Sequence, residues 1–335
     1  MVRILVGDCL DKISEIESNS INCCITSPPY YGLRDYGHEG QIGQESTPDE
    51  FVNKLVGVFG QVKRVLRNDG TLWLNLGDSY AAQRGGTKMP AETLAGGAGG
   101  YAVNGKGHRG RGTNDKPNGM DSGTGRKTGA GPAHRDAGRI GLKHKDLIGI
   151  PWRVAFALQT DGWFLRQDII WHKPNPMPES VTDRCTKAHE YLFLLSKSER
   201  YHFDFEAIQE KATTAGKPRV FGAKDQVGTL RNNVGRVYED DGLRNKRSVW
   251  AINVQPFPGA HFATFPPDLV APCVLAGCPD GGTVLDPFGG AGTTGLVANW
   301  HNRNAILCEI NPNYANLARS RIKDDDPMFS DVEII

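Results

Sequence analysis

The 335-residue chain lacks long hydrophobic runs: no window comes near the ~18 consecutive apolar residues that a membrane-spanning helix needs. No membrane association is expected. The opening residues, Met1-Val2-Arg3-Ile4-Leu5-Val6, enter a strand-like run without the layout of a secretory signal, so a cytoplasmic location is expected. Cysteine is sparse and odd in number, at seven, and Cys23, Cys24, Cys273 and Cys308 stand in apolar runs, as reduced core thiols do. Paired C-x2-C spacing is missing, and no metal is expected. A strong overall charge is missing too, the net value being +1. That value hides an asymmetry. Residues 84–145 carry twelve Lys/Arg against four Asp/Glu, +8 by difference, which leaves −7 for the remainder. A basic segment on a mildly acidic body suits contact with a polyanion.

What is present is an alternation of periods. Residues 2–6 and 21–25 read as short buried strands with a helix-like stretch between them, at 8–17. Phe51, Leu55, Val58, Phe59, Val62, Val65 and Leu66 recur at helical spacing. Thr47 is placed to cap that helix, with Glu50 as its capping-box partner. Asn68-Asp69-Gly70 reads as a turn and residues 71–76 as a buried strand. Strand, helix, strand, helix, strand predicts a parallel sheet. From 84 to about 141 the periodicity stops, glycine is abundant and large apolar residues are scarce, which predicts a mobile segment. Order returns with a helix at 151–158, strands at 163–173 and 191–203, and a weakly periodic region at 205–249. A helix at 266–276, a strand at 283–288, a helix from 293, a strand at 304–310, a helix at 314–322 and an acidic tail complete the pattern.

The stretch TVLDPFGGAGTTGLVA, residues 283–298, is a strand, a glycine turn and a helix start. A phosphate-cradling P-loop would need a lysine after the last glycine, where Leu296 stands. Residues 290–295 formally fit G-x-G-x-x-G, so a nicotinamide dinucleotide site stays open on this stretch alone. A second stretch, ITSPPYY at 25–31, ends a strand with two prolines that cannot continue it.

Taken together, Asp286-Pro287-Phe288-Gly289-Gly290-Ala291-Gly292-Thr293-Thr294 and Ser27-Pro28-Pro29-Tyr30 resemble the D-P-F-x-G-x-G-T-T and [DNS]-P-P-[YFW] motifs of the amino-methylating DNA methyltransferases. The S-P-P-Y motif precedes the glycine motif, as in the permuted β-type members, which place target recognition between the two. The resemblance implies a fold: an α/β, doubly wound, mostly parallel sheet of methyltransferase type, with an inserted target-recognition region and a mobile glycine-rich basic loop. It implies S-adenosylmethionine as cofactor, held by Asp286, Pro287, Phe288, Gly289, Gly290, Gly292, Thr293, Thr294 and Glu309. Asp8 stands where the family contacts adenine, and Phe262, in the segment HFATFP, where it covers the methionine end. Small residues let backbone approach the cofactor, and a helix N-terminus favours its carboxylate.

The catalytic set implied is Ser27, Pro28, Pro29 and Tyr30. An exocyclic amine is a poor nucleophile because its lone pair is delocalised into the ring. A serine hydroxyl and the Pro28 carbonyl would accept from the NH2 group and orient that lone pair, while Tyr30 stacks on a base swung out of the duplex. Serine at the first position, preceded by Thr26, is the family's usual form for cytosine N4. Adenine N6 is the nearer alternative, and a non-catalytic DNA-binding protein with a vestigial cofactor fold the farther one. Double-stranded DNA is the expected partner, with a cognate restriction endonuclease beside it. Arg109, Arg111 and Arg126 would clamp phosphates, Trp171 and Lys173 would flank the base pocket, and Arg219, Arg231 and Arg236 would read bases. Cys273 follows a proline, as a cytosine-C5 nucleophile would, yet sits in an apolar helical run and reads as a core thiol.

The organisation expected is a catalytic half at 1–83, a basic loop at 84–142 and a continuation of the catalytic sheet at 143–204. A target-recognition region at 205–250, a cofactor-binding half at 251–323 and a tail at 324–335 follow.

Overall fold

The computed structural model describes residues 1–33, 40–82, 136–138, 140–212, 219–220, 237–238, 242–255, 265–326 and 331–335, with 219–220 and 237–238 described as backbone only. Strand β1 (Val2–Val6), helix α1 (Cys9–Ser14), β2 (Ile21–Thr26), α2 (Pro48–Val65) and β3 (Leu66–Leu76) follow the alternation expected. Then come α3 (Ile150–Thr160), β4 (Phe164–His172) and β5 (His189–Ser196). Four two-residue strands follow: β6 (Glu210–Lys211), β7 (Arg219–Val220), β8 (Val237–Tyr238) and β9 (Leu243–Arg244). The chain closes with β10 (Val249–Ala251), α4 (Pro267–Gly277), β11 (Thr283–Asp286), α5 (Thr293–Trp300), β12 (Asn304–Glu309), α6 (Pro312–Asp325) and β13 (Val332–Ile334).

Nine strands form one sheet in the order β10-β4-β5-β3-β2-β11-β12-β1-β13. Strand β5 runs antiparallel to both its neighbours, and every other pairing is parallel. Successive strand residues face opposite sides, so Cys24 joins the core under α1, α2 and α3 while Cys23 joins the core under α4, α5 and α6. Helices cover both faces, as a parallel sheet requires. Strand β2 lies beside β11, with Cys23 opposite Val284 and Cys24 opposite Leu285. The two motifs, about 260 residues apart in sequence, therefore leave the sheet side by side at its carboxyl edge. Ligands of open α/β sheets bind at that edge.

Local chemistry accounts for the boundaries. Thr47 caps α2 by accepting from Glu50 N at 3.2 Å, and the Glu50 carboxylate accepts from Ser46 N, one residue earlier than a capping box would place it. The stretch expected as a turn at 68–70 lies within β3, where residues 67–70 stand against Asn22 alone between the Ile21–Leu66 and Cys23–Thr71 pairs. This bulge shifts the register and leaves Arg67, Asn68 and Asp69 exposed. The expected tail is partly ordered: Val332–Ile334 adds an edge strand parallel to β1 and buries Val332, because its alternate apolar residues fit that edge. Most of the basic segment, and most of the region expected to recognise the target, fall outside the described residues. Among the described residues, no helix is long and apolar enough to cross a membrane.

Candidate active site

Strand β2 ends at Thr26, and the prolines of Ser27-Pro28-Pro29-Tyr30 turn the chain out of the sheet. Strand β11 ends at Asp286, and the glycine turn follows, with left-handed backbone at Gly290 (φ 50°) and Gly292 (φ 76°). Close approach demands two of these glycines. A Cβ on Gly289 would come within 2.9 Å of Leu307 Cβ in β12, and one on Gly292 within 2.7 Å of Ala318 Cβ in α6.

The motifs are tied together directly. Thr26 Oγ1 donates to Asp286 Oδ1 at 2.6 Å, and Thr294 Oγ1 donates to Asp286 Oδ2 at the same distance. Phe288 N adds a third bond, at 3.0 Å to Oδ1. Burial raises the Asp286 carboxyl above its ordinary value, and these three donors partly oppose the shift. Asp286 is 1 % exposed and stands beneath the glycine turn rather than on its open side. Arg321 of α6 braces the same turn, donating to Ala291 O at 3.1 Å and Thr293 Oγ1 at 2.9 Å.

A cavity of about 210 Å³ opens between the two turns. On one side it is lined by Pro287, Phe288, Gly289, Gly290, Thr293, Glu309 and Asp8, all expected to hold the cofactor. Three residues expected with them, Asp286, Gly292 and Thr294, do not line it: they are buried and shape the turn from behind. Glu309 ends β12 and pairs with Val6 of β1, so its carboxylate and that of Asp8 sit at the ends of neighbouring parallel strands. Glu309 Oε2 accepts from Gly290 N at 2.8 Å and Oε1 from Asn311 N at 2.9 Å, which fixes the carboxylate at the mouth of the turn. Asp8 caps α1 through Leu10 N at 2.8 Å. Phe262 lies outside the described residues.

The opposite side holds all four members of Ser27-Pro28-Pro29-Tyr30 with Asn75, Trp171, Lys173 and Glu190. Ser27 Oγ donates to Asn75 Oδ1 at 3.1 Å, and the Tyr30 hydroxyl donates to Glu190 Oε2 at 2.7 Å, with Asn75 Oδ1 3.2 Å away. Asn75 Nδ2 donates to Tyr191 O at 3.1 Å. The Lys173 ammonium donates to Glu190 Oε1 and lies 4.2 Å above the Trp171 ring. Burial alone would raise the Glu190 carboxyl, but Lys173, with the Tyr30 and Asn75 donors, holds it below the usual carboxylate range.

Two residues expected to flank the pocket toward DNA are set deeper than that. Trp171 is a buried wall whose indole N–H is taken by Ile252 O at 2.9 Å, and Lys173 is committed to Glu190. Both line the cavity, Trp171 held by strand pairing in β4 and Lys173 by its ion pair just past the strand's end. Arg219 is described only as backbone in β7, and Arg109, Arg111, Arg126, Arg231 and Arg236 lie outside the described residues. Cys273 is buried under the sheet, away from the cavity, and its thiol is pushed well above its ordinary value by burial. Sequence reasoning did not single out Asn75, Glu190 or Arg321. A lone polar residue in the run LWLNL (72–76) and a carboxylate opening the run EYLFLL (190–195) were the available signals for the first two.

Comparison with known proteins bears on this geometry. A family model described as DNA methylase matches residues 21–320. Type II methyltransferase M.Cfr9I of Citrobacter freundii is 43 % identical over 324 residues, covering 96 % of this chain and 87 % of that one. Type II methyltransferase M.SmaI of Serratia marcescens is 42 % identical over 320 residues, covering 96 % and 90 %. Among solved structures, the putative DNA modification methylase TTHA0409 of Thermus thermophilus, complexed with S-adenosyl-L-methionine, superposes with a TM-score of 0.56 at 20 % identity over 100 % of both chains. The cytosine-N4-specific PvuII DNA methyltransferase gives 0.57 at 18 % identity over 99 % of this chain and 94 % of that one. These two likenesses establish the fold.

Proposed function

The chain belongs to the DNA methylase family, and on that premise we propose that it moves a methyl group from S-adenosylmethionine to the exocyclic N4 amine of cytosine in double-stranded DNA. The observation that carries this reading is the single cavity lined by Ser27, Pro28 and Tyr30 on one side and by Pro287 to Gly290 with Glu309 on the other. The cavity fits the cofactor chemically. The open backbone of a glycine turn and the N-terminus of α5 favour a carboxylate, and the acids at the ends of β1 and β12 can accept hydroxyl and amine hydrogens. When bound, S-adenosylmethionine supplies an electrophilic methyl group on a sulfonium.

The chain's own residues then act by position. Because the Ser27 hydroxyl hydrogen goes to Asn75, the oxygen turns its lone pairs toward the cavity, where they can accept from the target amine. Asn75 is an amide and cannot carry a proton onward to Glu190, so Ser27 orients the amine rather than serving as an activated base. The methylated nitrogen, cationic once the carbon–sulfur bond has broken, gives its extra proton to water. Tyr30 offers its ring to an extruded base. The choice of cytosine rests on the serine of S-P-P-Y and on Thr26 before it. The Type II designation of the relatives points to a restriction endonuclease as the functional partner.

The test is methylation of unmethylated genomic DNA with S-adenosylmethionine, followed by nucleoside mass spectrometry. N4-methylcytosine is expected. N6-methyladenine would keep the mechanism and overturn the acceptor. Ser27→Ala should lower kcat on the order of 10²-fold while leaving cofactor Kd within about twofold. Equal losses in both would remove Ser27 from the orienting role.

A further inference from the structure

Glu190 belongs to neither motif, yet its carboxylate lines the cavity and is bound through both oxygens. It is the second residue of β5, opposite Trp171, is 8 % exposed, and divides its two oxygens between different partners. Oε1 holds the Lys173 ammonium, while Oε2 accepts the Tyr30 hydroxyl at 2.7 Å. The far edge of the same tyrosine rests on Gly77, just past the end of β3. A Cβ on Gly77 would come within 2.4 Å of Tyr30 Cε2, 2.9 Å of Cδ2 and 3.0 Å of Cζ. Those are ring atoms of one rigid plane, so any side chain at position 77 has to tilt the whole ring.

A tyrosine anchored only through its Cβ can swing about two torsions. Fixing its hydroxyl removes most of that freedom, and a backbone bed under its edge removes the rest. Resting on the base-methylation reading above, we propose that Glu190 and Gly77 are positioning residues: together they seat Tyr30 as a preset face for the extruded base. Lys173 then has a defined place in the arrangement. It neutralises the buried carboxylate, which would otherwise be an unpaired charge at the pocket floor. Glu190 acts on the reaction through the Tyr30 ring, without touching the amine.

The test is a double-mutant cycle between positions 30 and 190 in a background that leaves no orphaned charge. In K173M, the variants E190Q and E190L differ in whether an oxygen remains for the Tyr30 hydroxyl. With Tyr30 present, K173M/E190L should turn over about fivefold more slowly than K173M/E190Q. With Y30F added to each, the two should agree within about 1.5-fold. Melting temperature should show some coupling, since the two groups are bonded, but cofactor Kd should show none, which separates positioning of the base face from a general loss of the active fold. Multiplicative effects of the two changes on kcat would overturn the proposal.

Y30F alone tests the same claim without touching the ion pair. It should lower kcat about tenfold with cofactor Kd retained, because the lost bond goes to a charged acceptor. Turnover within about twofold of wild type would overturn the seat. G77A should likewise lower kcat while cofactor binding stays, and full activity in G77A would remove Gly77 from it. Wild-type protein that transfers no methyl group would overturn the reading beneath the proposal. Wild-type activity with independent effects would overturn the seat alone.

Discussion

Thr26 is the residue on which the two halves of the site depend most directly. Its hydroxyl crosses from β2 to the Asp286 carboxylate at the end of β11, and it is 1 % exposed. Thr26→Val would keep the shape and remove one of three donors to a buried carboxylate, a loss of about 1–3 kcal/mol. The sign of the pH dependence follows from the direction of the Asp286 shift. Burial raises its folded-state pKa above the unfolded value, so the native state binds the proton more readily, and stability falls as pH rises through the window between the two. Removing a donor to the ionised form raises the folded value further and widens that window upward. The deficit of T26V in urea unfolding should therefore be larger at about pH 8 than at about pH 5; a deficit that does not change with pH would mean Thr26 does not support the ionised form. This residue also shows what spacing conceals. Thr26 was legible only as a neighbour of the S-P-P-Y motif, and Asp286 only as a motif member facing a cofactor. That they bond each other is a consequence of sheet order.

Helix α3 illustrates the same limit for an element. Its existence is legible from Pro151 and the apolar spacing that follows, since a proline in the first turn needs no N–H partner. Its cap is not legible, because the N-cap residue is Gly149, in left-handed backbone (φ 79°) with no side chain to offer. The acceptor comes from Asp78, 71 residues earlier. Its carboxylate takes Gly149 N at 3.0 and 3.1 Å and Ile150 N at 3.1 Å. Burial raises the Asp78 carboxyl, with Lys187 and these backbone donors opposing it. Asp78→Ala should destabilise the protein by about 1–2 kcal/mol, as loss of an N-cap does, and Asp78→Asn by less, since one oxygen remains. Equilibrium unfolding in urea measures both. An alanine variant within about 0.3 kcal/mol of wild type would mean that water replaces the carboxylate there. The helix α2 cap, by contrast, lies close by in its own sequence, and Thr47 was found where the pattern placed it. Short-range signals were readable, and long-range ones were not.

Across the whole molecule, the alternation of strand and helix periods specified a doubly wound sheet, and the order of the two motifs specified which ends of the chain meet in it. What the pattern could not rank was charge. The segment 84–145 carries +8 and the remainder −7, so the body that holds the cavity repels a duplex unless cations outside it offset that repulsion. Lys173, the cation expected at the pocket for DNA, is committed to Glu190 and contributes little to such attraction. We propose that the basic segment supplies the attraction, with Arg109, Arg111 and Arg126 as its phosphate contacts. Each phosphate neutralised on B-DNA changes the slope of log Kobs against log salt by about 0.9. The triple variant R109A/R111A/R126A should thus flatten that slope by about 2.7. Because phosphate contacts carry no sequence information, affinity for specific and non-specific duplexes should weaken together. Cofactor Kd should be untouched, since all three residues lie outside both motifs. Fluorescence anisotropy with a labelled duplex between about 50 and 200 mM salt gives the slope directly. An unchanged slope would place the phosphate contacts elsewhere, and a loss confined to the specific duplex would make these arginines readers of bases instead.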